Sequence, residues 1–236
     1  MKNLLRKSRR VAMSIIGQDV YSSVELRCPK EYLGTQYGGW SICPSQISDK
    51  SIVYSFGVGE DISFDLSLIE KFGVNVYAFD PTPTAIDWIK SQQLPKNFKF
   101  FEYGIADYDG VAEFSCPPTP NLRDAYSILN RPGANCIQVK VYRLNTIMEM
   151  LGHQKIDILK MDIEGAEYAV IDDVISSDIE VQQLLLEFHH RWKEFQQGFR
   201  NIGVPKTKRA ITSLREKGFK IFDISLTGDE YSFVRV

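Results

Sequence analysis

The sequence predicts an α/β fold built on a seven-stranded, mostly parallel sheet with helices on both faces. Three observations predict it. Short apolar runs alternate with helical patterns, as a parallel sheet requires. A glycine turn lies between an apolar run and a helical pattern where this alternation begins. The last two apolar runs are separated only by residues 225–230, which are too few for a crossover helix. These two strands therefore pair antiparallel or do not adjoin in the usual way.

The individual elements follow from local patterns. The predicted strands are apolar and β-branched runs at residues 52–56, 74–79, 98–103, 156–161, 183–188, 220–224 and 231–236. The predicted helices carry apolar residues at helical spacing, at residues 64–72, 84–93, 144–151, 166–175, 192–202 and 206–217. Two further strand-like runs, 111–114 and 136–141, flank a proline-rich stretch. We interpret this stretch as an insertion with a mobile loop suited to substrate contacts.

Composition excludes several classes of protein. The 236 residues are 44% hydrophobic, which is ample for one α/β domain, and the net charge of −2 gives no footprint for nucleic acid. No apolar stretch reaches the ~18 residues of a membrane span. The four cysteines show no C-x-x-C pairing and are interpreted as reduced thiols of a cytoplasmic protein.

The chain divides at about residue 50. Residues 51–236 carry the alternating pattern and are predicted to form the main domain. Residues 1–50 are predicted to form a basic N-terminal helix and a lid-like segment that contains Tyr37 and Trp40. The helix is interpreted as lying on its own domain, while contact with a membrane surface or the arm of a homodimer stays open. The sequence does not specify the oligomeric state.

The glycine turn predicts a nucleoside site. Gly57 and Gly59 follow the first strand, and Asp80 ends the second strand 21 positions after Gly59. Glycines let a backbone turn approach a ligand, and a carboxylate at the next strand tip can accept from both ribose hydroxyls. A third glycine is replaced by Ile62, which disfavours NAD and FAD, and no Walker motif is present. S-adenosylmethionine fits what remains, unless the glycines serve only a tight turn and Asp80 caps the next helix.

A second motif ends the fourth strand. The run Asp-Ile-Leu-Lys-Met-Asp-Ile-Glu-Gly-Ala-Glu covers residues 157–167. It places Asp162 at a strand tip, where open α/β sheets bind their ligands, with Glu164 and Glu167 just beyond it. Asp162 and Glu164 are therefore candidate catalytic residues. Glu167 could simply be solvated, because acids are favoured near helix N-termini.

A third motif ends the fifth strand, where Glu187 is followed by His189 and His190. If the fourth and fifth strands adjoin, Asp162, Glu187 and His189 converge and can bind a divalent metal. This arrangement resembles the placement of metal ligands in catechol-type O-methyltransferases. Two carboxylates and an imidazole suit Mn²⁺ or Fe²⁺ better than Mg²⁺. In the metal-free alternative, His189 or His190 is the general base, and strand parity does not say which of them points inward.

Taken together, the turn Phe56-Gly57-Val58-Gly59, the Ala-Phe-Asp-Pro end of the second strand and the run at 159–167 resemble the FkbM-type methyltransferases. The resemblance covers residues 52–236. It implies a Rossmann-like class I methyltransferase sandwich whose last strand is antiparallel, with S-adenosylmethionine as the methyl donor. The family usually carries a further glycine or asparagine where this chain has Glu60 and Asp61.

The resemblance also implies roles for individual residues. Residues 56–59 border the methionine end, Asp80 with Pro81 holds the ribose, and Asp162 completes the cofactor site. The segment after the third strand borders the adenine through Ile105, Ala106 and Asp107. Ala106 leaves room for a flat ring and Asp107 can accept from an exocyclic amine, although residues 107–110 also read as an ordinary turn.

The function implied is O-methylation of a hydroxyl, on a small molecule or on a sugar or glycan. A divalent metal, Mn²⁺ or Mg²⁺, is a candidate second cofactor. The departure at Glu60 and Asp61 keeps a catalytically silent cofactor-binding module or scaffold open as an alternative. A nicotinamide-dependent oxidoreductase is a further alternative, disfavoured by Ile62.

Overall fold

The structure is a computed structural model that describes residues 2–116, 126–129, 131, 133–192, 195–197 and 200–236. Its helices are α1 (Lys2–Ile15), α2 (Ser63–Phe72), α3 (Pro83–Lys90), α4 (Leu144–Leu151), α5 (Glu167–Ser176) and α6 (Gly203–Glu216). Its first eight strands are β1 (Glu31–Leu33), β2 (Trp40–Ile42), β3 (Ile52–Phe56), β4 (Asn75–Phe79), β5 (Phe98–Phe101), β6 (Gly104–Ile105), β7 (Gly110–Ser115) and β8 (Cys136–Tyr142). They are followed by β9 (Ile156–Met161), β10 (Val181–Glu187), β11 (Gln196–Gln197), β12 (Arg200–Asn201), β13 (Phe219–Ile224) and β14 (Glu230–Arg235).

Seven of the described strands form the main sheet, in the order β13-β14-β10-β9-β3-β4-β5. The pairs from β10 through β5 are parallel, whereas β14 runs antiparallel to both of its neighbours, β10 and β13. The predicted fold class is therefore confirmed, including the antiparallel last strand. Because the short β13–β14 connection forms a hairpin, β14 inserts between β13 and β10.

Both faces of the main sheet are packed. Alternate residues of one strand point to opposite faces, so Tyr54 of β3 joins a core under α4, α5 and α6, while Val53 joins a core under α2 and α3. All six residues of the central strand β9 are buried. The sheet thus brings the carboxyl ends of β3, β4, β9 and β10 to one edge, between the two helical layers.

One predicted element is wrong. The apolar spacing at residues 192–202 predicts a helix, but the described residues of this stretch include the short antiparallel pair β11–β12. Two contacts explain the difference. Phe195 is buried and packs edge-on against Tyr168 of α5 instead of joining a helical stripe. The side chain of Asn201 accepts hydrogen bonds from the backbone N–H groups of Gly203 and Val204 and thereby starts α6 there.

The predicted insertion forms a separate small sheet in which β8 pairs with β6 and β7. Most of its proline-rich stretch, with Pro117, Pro118, Pro120 and Pro132, lies outside the described residues. At the other end of the chain, the first 50 residues contain α1, the β1–β2 hairpin and a 3-10 helix at Pro44–Gln46. Among the helices described, none is both long and apolar enough to cross a bilayer.

Asp65 is a carboxylate inside the core, and it leads to a prediction about stability. It lies on α2 with 2% of its surface exposed, and burial raises its pKa to about 6 although Lys160 opposes the shift. A folded pKa above the unfolded value of ~3.9 means that the folded state holds the proton more tightly, so stability falls as pH rises from ~4 to ~6. Asp65→Asn is therefore expected to raise the free energy of unfolding by ~2 kcal/mol at pH 7.5, with the gain disappearing near pH 4.

Urea unfolding at pH 4 and at pH 7.5 measures this effect. Asp87→Asn, an exposed substitution on α3, is the matched control and is expected to change stability little at either pH. A pH-independent gain for Asp65→Asn would contradict the assignment of the effect to a buried charge.

Candidate active site

A cavity of about 410 Å³ opens at the carboxyl edge of the main sheet. Its described walls include the turns after β3, β4 and β9, at residues 56–61, 79–82 and 160–166. Residues of the segment 36–40, of the β13–β14 turn with the start of β14, of β6 and the insertion, and Glu187 of β10 also line it. The volume is that of a small-molecule site, and the position is where open α/β sheets bind their ligands.

The glycine turn brings two strand tips into close contact. Gly57 and Gly59 both have positive φ, at 73° and 52°. A Cβ atom at Gly57 would lie 1.7 Å from the backbone oxygen of Asp162, so this position excludes any side chain. Phe56 and Val58 are buried and also line the cavity.

Lys160 holds the glycine turn through its backbone oxygens. It lies on β9 with 7% of its surface exposed, and its ammonium donates to the backbone oxygen of Gly57, with the oxygen of Phe56 3.4 Å away. Sequence reasoning gave this residue no role. The available signal was a lysine within an otherwise apolar strand, since a buried ammonium needs acceptors close at hand.

Asp80 connects the tips of β3 and β4. Its Oδ2 accepts from the Gly59 N–H at 3.1 Å, and its Oδ1 accepts from the backbone N–H and the hydroxyl of Thr82 at 2.9 and 2.6 Å. Thr82 in turn caps α3. Burial raises the pKa of Asp80, and these hydrogen bonds oppose the shift. A carboxylate has about four acceptor sites, so these three hydrogen bonds leave Asp80 one acceptor position, and the residue lines the cavity.

Only some of the residues predicted to border the ribose and the adenine line the cavity. Pro81 and Ile105 line the cavity. Ala106 is buried in the small core of the insertion, and Asp107 is exposed and does not belong to the described cavity walls. The structure thus brings Ile105 to the cavity but does not bring Asp107 there.

Asp61 occupies the position where the family pattern departs. Its two carboxylate oxygens accept from the Thr35 hydroxyl at 2.7 Å and from the Ser63 N–H at 2.8 Å. Burial disfavours its charge, but these hydrogen bonds hold its pKa below the usual value. Asp61 therefore links the glycine turn to the segment at 35–38, which forms part of the cavity mouth.

Three carboxylates and an imidazole converge at the tips of β9 and β10. His189 Nε2 lies 3.5 Å from Asp162 Oδ1 and 3.6 Å from Glu164 Oε2. Glu187 Oε1 is 3.9 Å from the same nitrogen. Asp162, Glu164 and Glu187 line the cavity, whereas His189 lies behind them with 6% of its surface exposed.

Charge crowding governs protonation in this cluster. Burial raises the pKa of Glu164 to about 8 and that of Glu187 to about 9, and the Asp162 carboxylate adds to both shifts. Burial alone would lower the pKa of His189, but the carboxylates of Glu167, Glu164 and Asp162 raise it well above its ordinary value. Protons therefore compensate the negative charge of the cluster near neutral pH, as a bound cation also would.

The cluster has the composition of a metal site. Within the described part of the chain, one ligand atom each from Asp162, Glu164 and His189 lie within 4.8 Å of one another. Asp162 Oδ1 and Glu164 Oε2 are buried atoms that have no hydrogen-bond partner among the described residues. Two carboxylate oxygens and an imidazole suit a cation such as Mn²⁺. The sequence predicted Glu187 as the third ligand. In the structure Glu164 lies closer to His189 Nε2 than Glu187 does, and it takes this place in the group.

Glu167 is fully buried rather than solvated. None of its surface is exposed, and it accepts from the backbone N–H groups of Gly165 and His189. Burial would raise its pKa, but His189 holds the pKa below the usual value. The sequence signal was its place one turn after the strand tip, where its side chain can reach back toward the sheet edge.

The two adjacent histidines have different surroundings. His190 has no exposed surface, and its Nε2 lies 2.9 Å from Oδ1 of Asp19, a buried residue that follows α1. His190 is absent from the described cavity walls. His189 thus belongs to the carboxylate cluster, whereas His190 contacts Asp19 of the N-terminal segment.

Asp19 and two arginines attach the N-terminal segment to the cavity wall. Arg10 and Arg191 approach Oδ2 of Asp19 at 4.0 and 3.8 Å. Arg191 donates to the oxygen of Thr227 at 3.0 Å, and Arg10 donates to that of Gly228 at 3.3 Å. The β13–β14 turn is therefore held in place in part by Arg10 of α1.

Several cavity residues were missed by sequence reasoning. Thr227 and Asp229 belong to the β13–β14 turn, Glu230 begins β14, and Tyr126 belongs to the insertion. Burial raises the pKa of Glu230 to about 7. No local motif marks these residues, because they reach the cavity only through the hairpin and the insertion fold.

Comparisons with known proteins give a family. The family model described as the methyltransferase FkbM domain matches residues 51–221. The human "Probable methyltransferase-like protein 24" is 28% identical over 195 residues, which cover 78% of this chain and 47% of the human protein. The rat protein of the same name is 28% identical over 174 residues, which cover 72% of this chain and 42% of the rat protein. The chain spans less than half the length of these relatives.

Solved structures show more remote similarity. Aeropyrum pernix fibrillarin, solved with natively bound S-adenosyl-L-methionine, matches with a TM-score of 0.40 and 13% identity, covering 80% of this chain and 67% of that one. M. jannaschii TYW2 in complex with AdoMet matches with a TM-score of 0.33 and 10% identity, covering 91% and 90%. Similarity this remote carries no argument about function.

Proposed function

The chain belongs to the FkbM methyltransferase family, and from that membership we propose that it transfers the methyl group of S-adenosylmethionine to a hydroxyl of a sugar or glycan. The observation that carries the proposal is the convergence of Asp162, Glu164 and His189 beside the glycine turn. A methyl acceptor site needs a means of removing the hydroxyl proton, and this cluster provides one next to the cofactor cavity.

The residues around the cavity fit S-adenosylmethionine. The backbone of Gly57 and Gly59 would face the methionine end, Asp80 would hold the ribose, and Ile105 would border the adenine. When bound, S-adenosylmethionine supplies a methyl group on a positively charged sulfur. The carboxylates of Asp80 and Asp162 favour a cationic ligand at this place.

We further propose that a divalent cation, Mn²⁺ or Mg²⁺, binds Asp162, Glu164 and His189. The buried oxygens of Asp162 and Glu164, without hydrogen-bond partners in the described part of the chain, support it. Such a cation lowers the pKa of a coordinated hydroxyl. Glu187, 3.9 Å from His189, is suited to complete the cation site.

The alternative of a histidine base has less support. The Nε2 atom of His189 faces two carboxylates rather than the cavity, and its raised pKa favours the protonated ring, which has no lone pair for the hydroxyl proton. His190 is bonded to Asp19 and has no exposed surface. The geometry therefore favours proton removal through the carboxylate cluster.

The cavity mouth favours an uncharged acceptor with a flat face. Tyr37 is 79% exposed and lines the cavity, so its aromatic face is available to stack on a sugar ring, while the nearly buried Trp40 also contributes to the wall. Acidic side chains outnumber basic ones in the described walls, and the ammonium of Lys160 there is bonded to backbone oxygens. An anionic acceptor would be repelled, whereas sugar hydroxyls can donate to these carboxylates.

Calorimetric titration with S-adenosylhomocysteine tests the cofactor assignment. Asp80→Ala is expected to weaken binding at least ~100-fold, because it removes both a charged acceptor and the bonds that hold the Gly59 turn. Asp87→Ala, on the exposed face of α3, is the matched control and should bind like the wild type. An absence of binding by the wild-type protein would overturn the proposed function.

A further inference from the structure

Glu167 is a buried carboxylate that joins the two strand tips of the site without reaching the cavity. Its Oε2 accepts from the Gly165 N–H at 2.8 Å, and its Oε1 accepts from the His189 N–H at 2.9 Å. It is absent from the described cavity walls and has no exposed surface. A charge buried to this extent is retained only where hydrogen bonds satisfy it.

The same carboxylate lies behind the imidazole of His189. Glu167 Oε1 is 3.5 Å from Nδ1, whereas Nε2 on the opposite side of the ring faces Asp162 and Glu164. Trp192 packs edge-on against the ring at 4.5 Å between centroids and limits its rotation. His189 Nδ1 has no hydrogen-bond partner among the described residues, so Glu167 acts on the ring through its charge and through its hydrogen bond to the His189 backbone N–H. A carboxylate placed behind a ligating histidine in this way favours the orientation in which the opposite nitrogen faces the metal.

Glu167 also holds the turn that presents Glu164. Glu164 has a positive φ of 53°, which is unusual for a residue with a side chain, and Gly165 follows with one of 101°. The hydrogen bond from Gly165 to Glu167 spans this turn, and the hydroxyl of Ser127 donates to the Glu164 backbone oxygen from the insertion. The strained conformation persists because these bonds determine it.

We propose that Glu167 is a positioning residue that sets both His189 and Glu164 for cation binding. Its two backbone hydrogen bonds fix the spacing between the β9–α5 turn and the tip of β10. It contacts no reacting atom and acts through the two ligands. The inference rests on the proposed cation site, and it adds a residue outside the ligand set on which the affinity of that site depends.

Glu167→Gln in the full chain tests the proposal, because glutamine keeps the shape but not the charge. Electron paramagnetic resonance measures the concentration of free Mn²⁺ and thereby the affinity of the protein for it. The affinity of Glu167→Gln is expected to be ~10–100-fold weaker than that of the wild type. Affinity for S-adenosylhomocysteine should stay within about threefold of the wild type, a separation that general unfolding would not produce. Glu70→Gln, an exposed substitution on α2, is the control and should change neither affinity.

Hydrogen exchange at the Gly165 and His189 amides gives a readout that needs no metal. Faster exchange at these two amides in Glu167→Gln is expected. If the wild type binds Mn²⁺ and Glu167→Gln binds it equally well, the positioning role is overturned while the cation site stands. If the wild type binds no Mn²⁺, the proposed cation site is wrong, and unchanged exchange at both amides then overturns the positioning role as well.

A second variant covers the case in which Glu167→Gln does not fold. Glu167→Asp keeps the charge with a shorter side chain, and unchanged Mn²⁺ affinity and amide exchange in this variant overturn the proposal.

Discussion

Gly57→Ala is expected to abolish measurable binding of S-adenosylhomocysteine, with a loss of affinity of at least ~10³-fold. Gly57 has φ of 73°, and an added Cβ would lie 1.7 Å from the backbone oxygen of Asp162. Since that neighbour is backbone at the end of the central strand, no rotamer change relieves the clash. The tips of β3 and β9 must separate, which displaces the glycine turn and the hydrogen bond from Lys160.

Gly152→Ala separates the clash from the cost of a positive φ. Gly152 follows α4 with φ of 74°, and a Cβ added there would meet no atom of the described residues within 4 Å. The variant is expected to lose ~1–2 kcal/mol of stability and to keep its cofactor affinity. Calorimetry on both variants, with thermal unfolding to confirm folding, makes the comparison. Wild-type affinity in Gly57→Ala would contradict the close contact between the two strand tips.

Asp162→Asn is expected to lower methyl transfer by ~10²–10⁴-fold and to weaken Mn²⁺ binding, while S-adenosylhomocysteine affinity changes only a few-fold. The substitution keeps the shape of the side chain and the backbone contact with Gly57. It removes the negative charge that faces His189 at 3.5 Å. The expected pattern therefore separates the chemistry of the cluster from the cofactor cavity.

Transfer of radiolabel from S-adenosylmethionine to a panel of sugars and glycans measures the rate, and paramagnetic resonance measures Mn²⁺. Asp172→Asn is the matched control, because Asp172 is exposed on α5 and takes part in a surface ion pair with Arg209. Full activity of Asp162→Asn at unchanged Mn²⁺ affinity would remove Asp162 from the proposed mechanism. Activity without any bound metal would leave a carboxylate or His189 as the base.

The main sheet could be predicted from the sequence because local sequence patterns mark its strands. Each strand is a short apolar run, and the short connection between β13 and β14 excludes a crossover. The glycine turn and Asp162 were found for the same reason, since parallel strands bring their carboxyl ends to one edge. The incorrect helix at 192–202 reflects an apolar spacing that serves tertiary packing of Phe195 instead.

Other features of the site depend on contacts that no local pattern encodes. His190 meets Asp19 across 171 positions of sequence, and Lys160 meets Gly57 across 103. Adjacent histidines at a strand tip look alike in sequence, yet one joins the carboxylate cluster and the other joins the N-terminal segment. The burial of Glu167 likewise depends on a hydrogen bond from the backbone N–H of His189, which follows the neighbouring strand β10.

The β13–β14 turn, held by Arg10 and Arg191, forms one side of the cavity entrance, and the segment 36–40 forms another. Its residues 227–230 and the segment 36–40 both line the cavity, and both lie outside the span 51–221 that the family model matches. The glycine turn, Asp80 and the carboxylate cluster lie inside that span. The entrance of this cavity is therefore built in part from segments outside the matched span, so family membership describes the glycine turn and the cluster but leaves the shape of the entrance to this chain's own N-terminal segment and final hairpin.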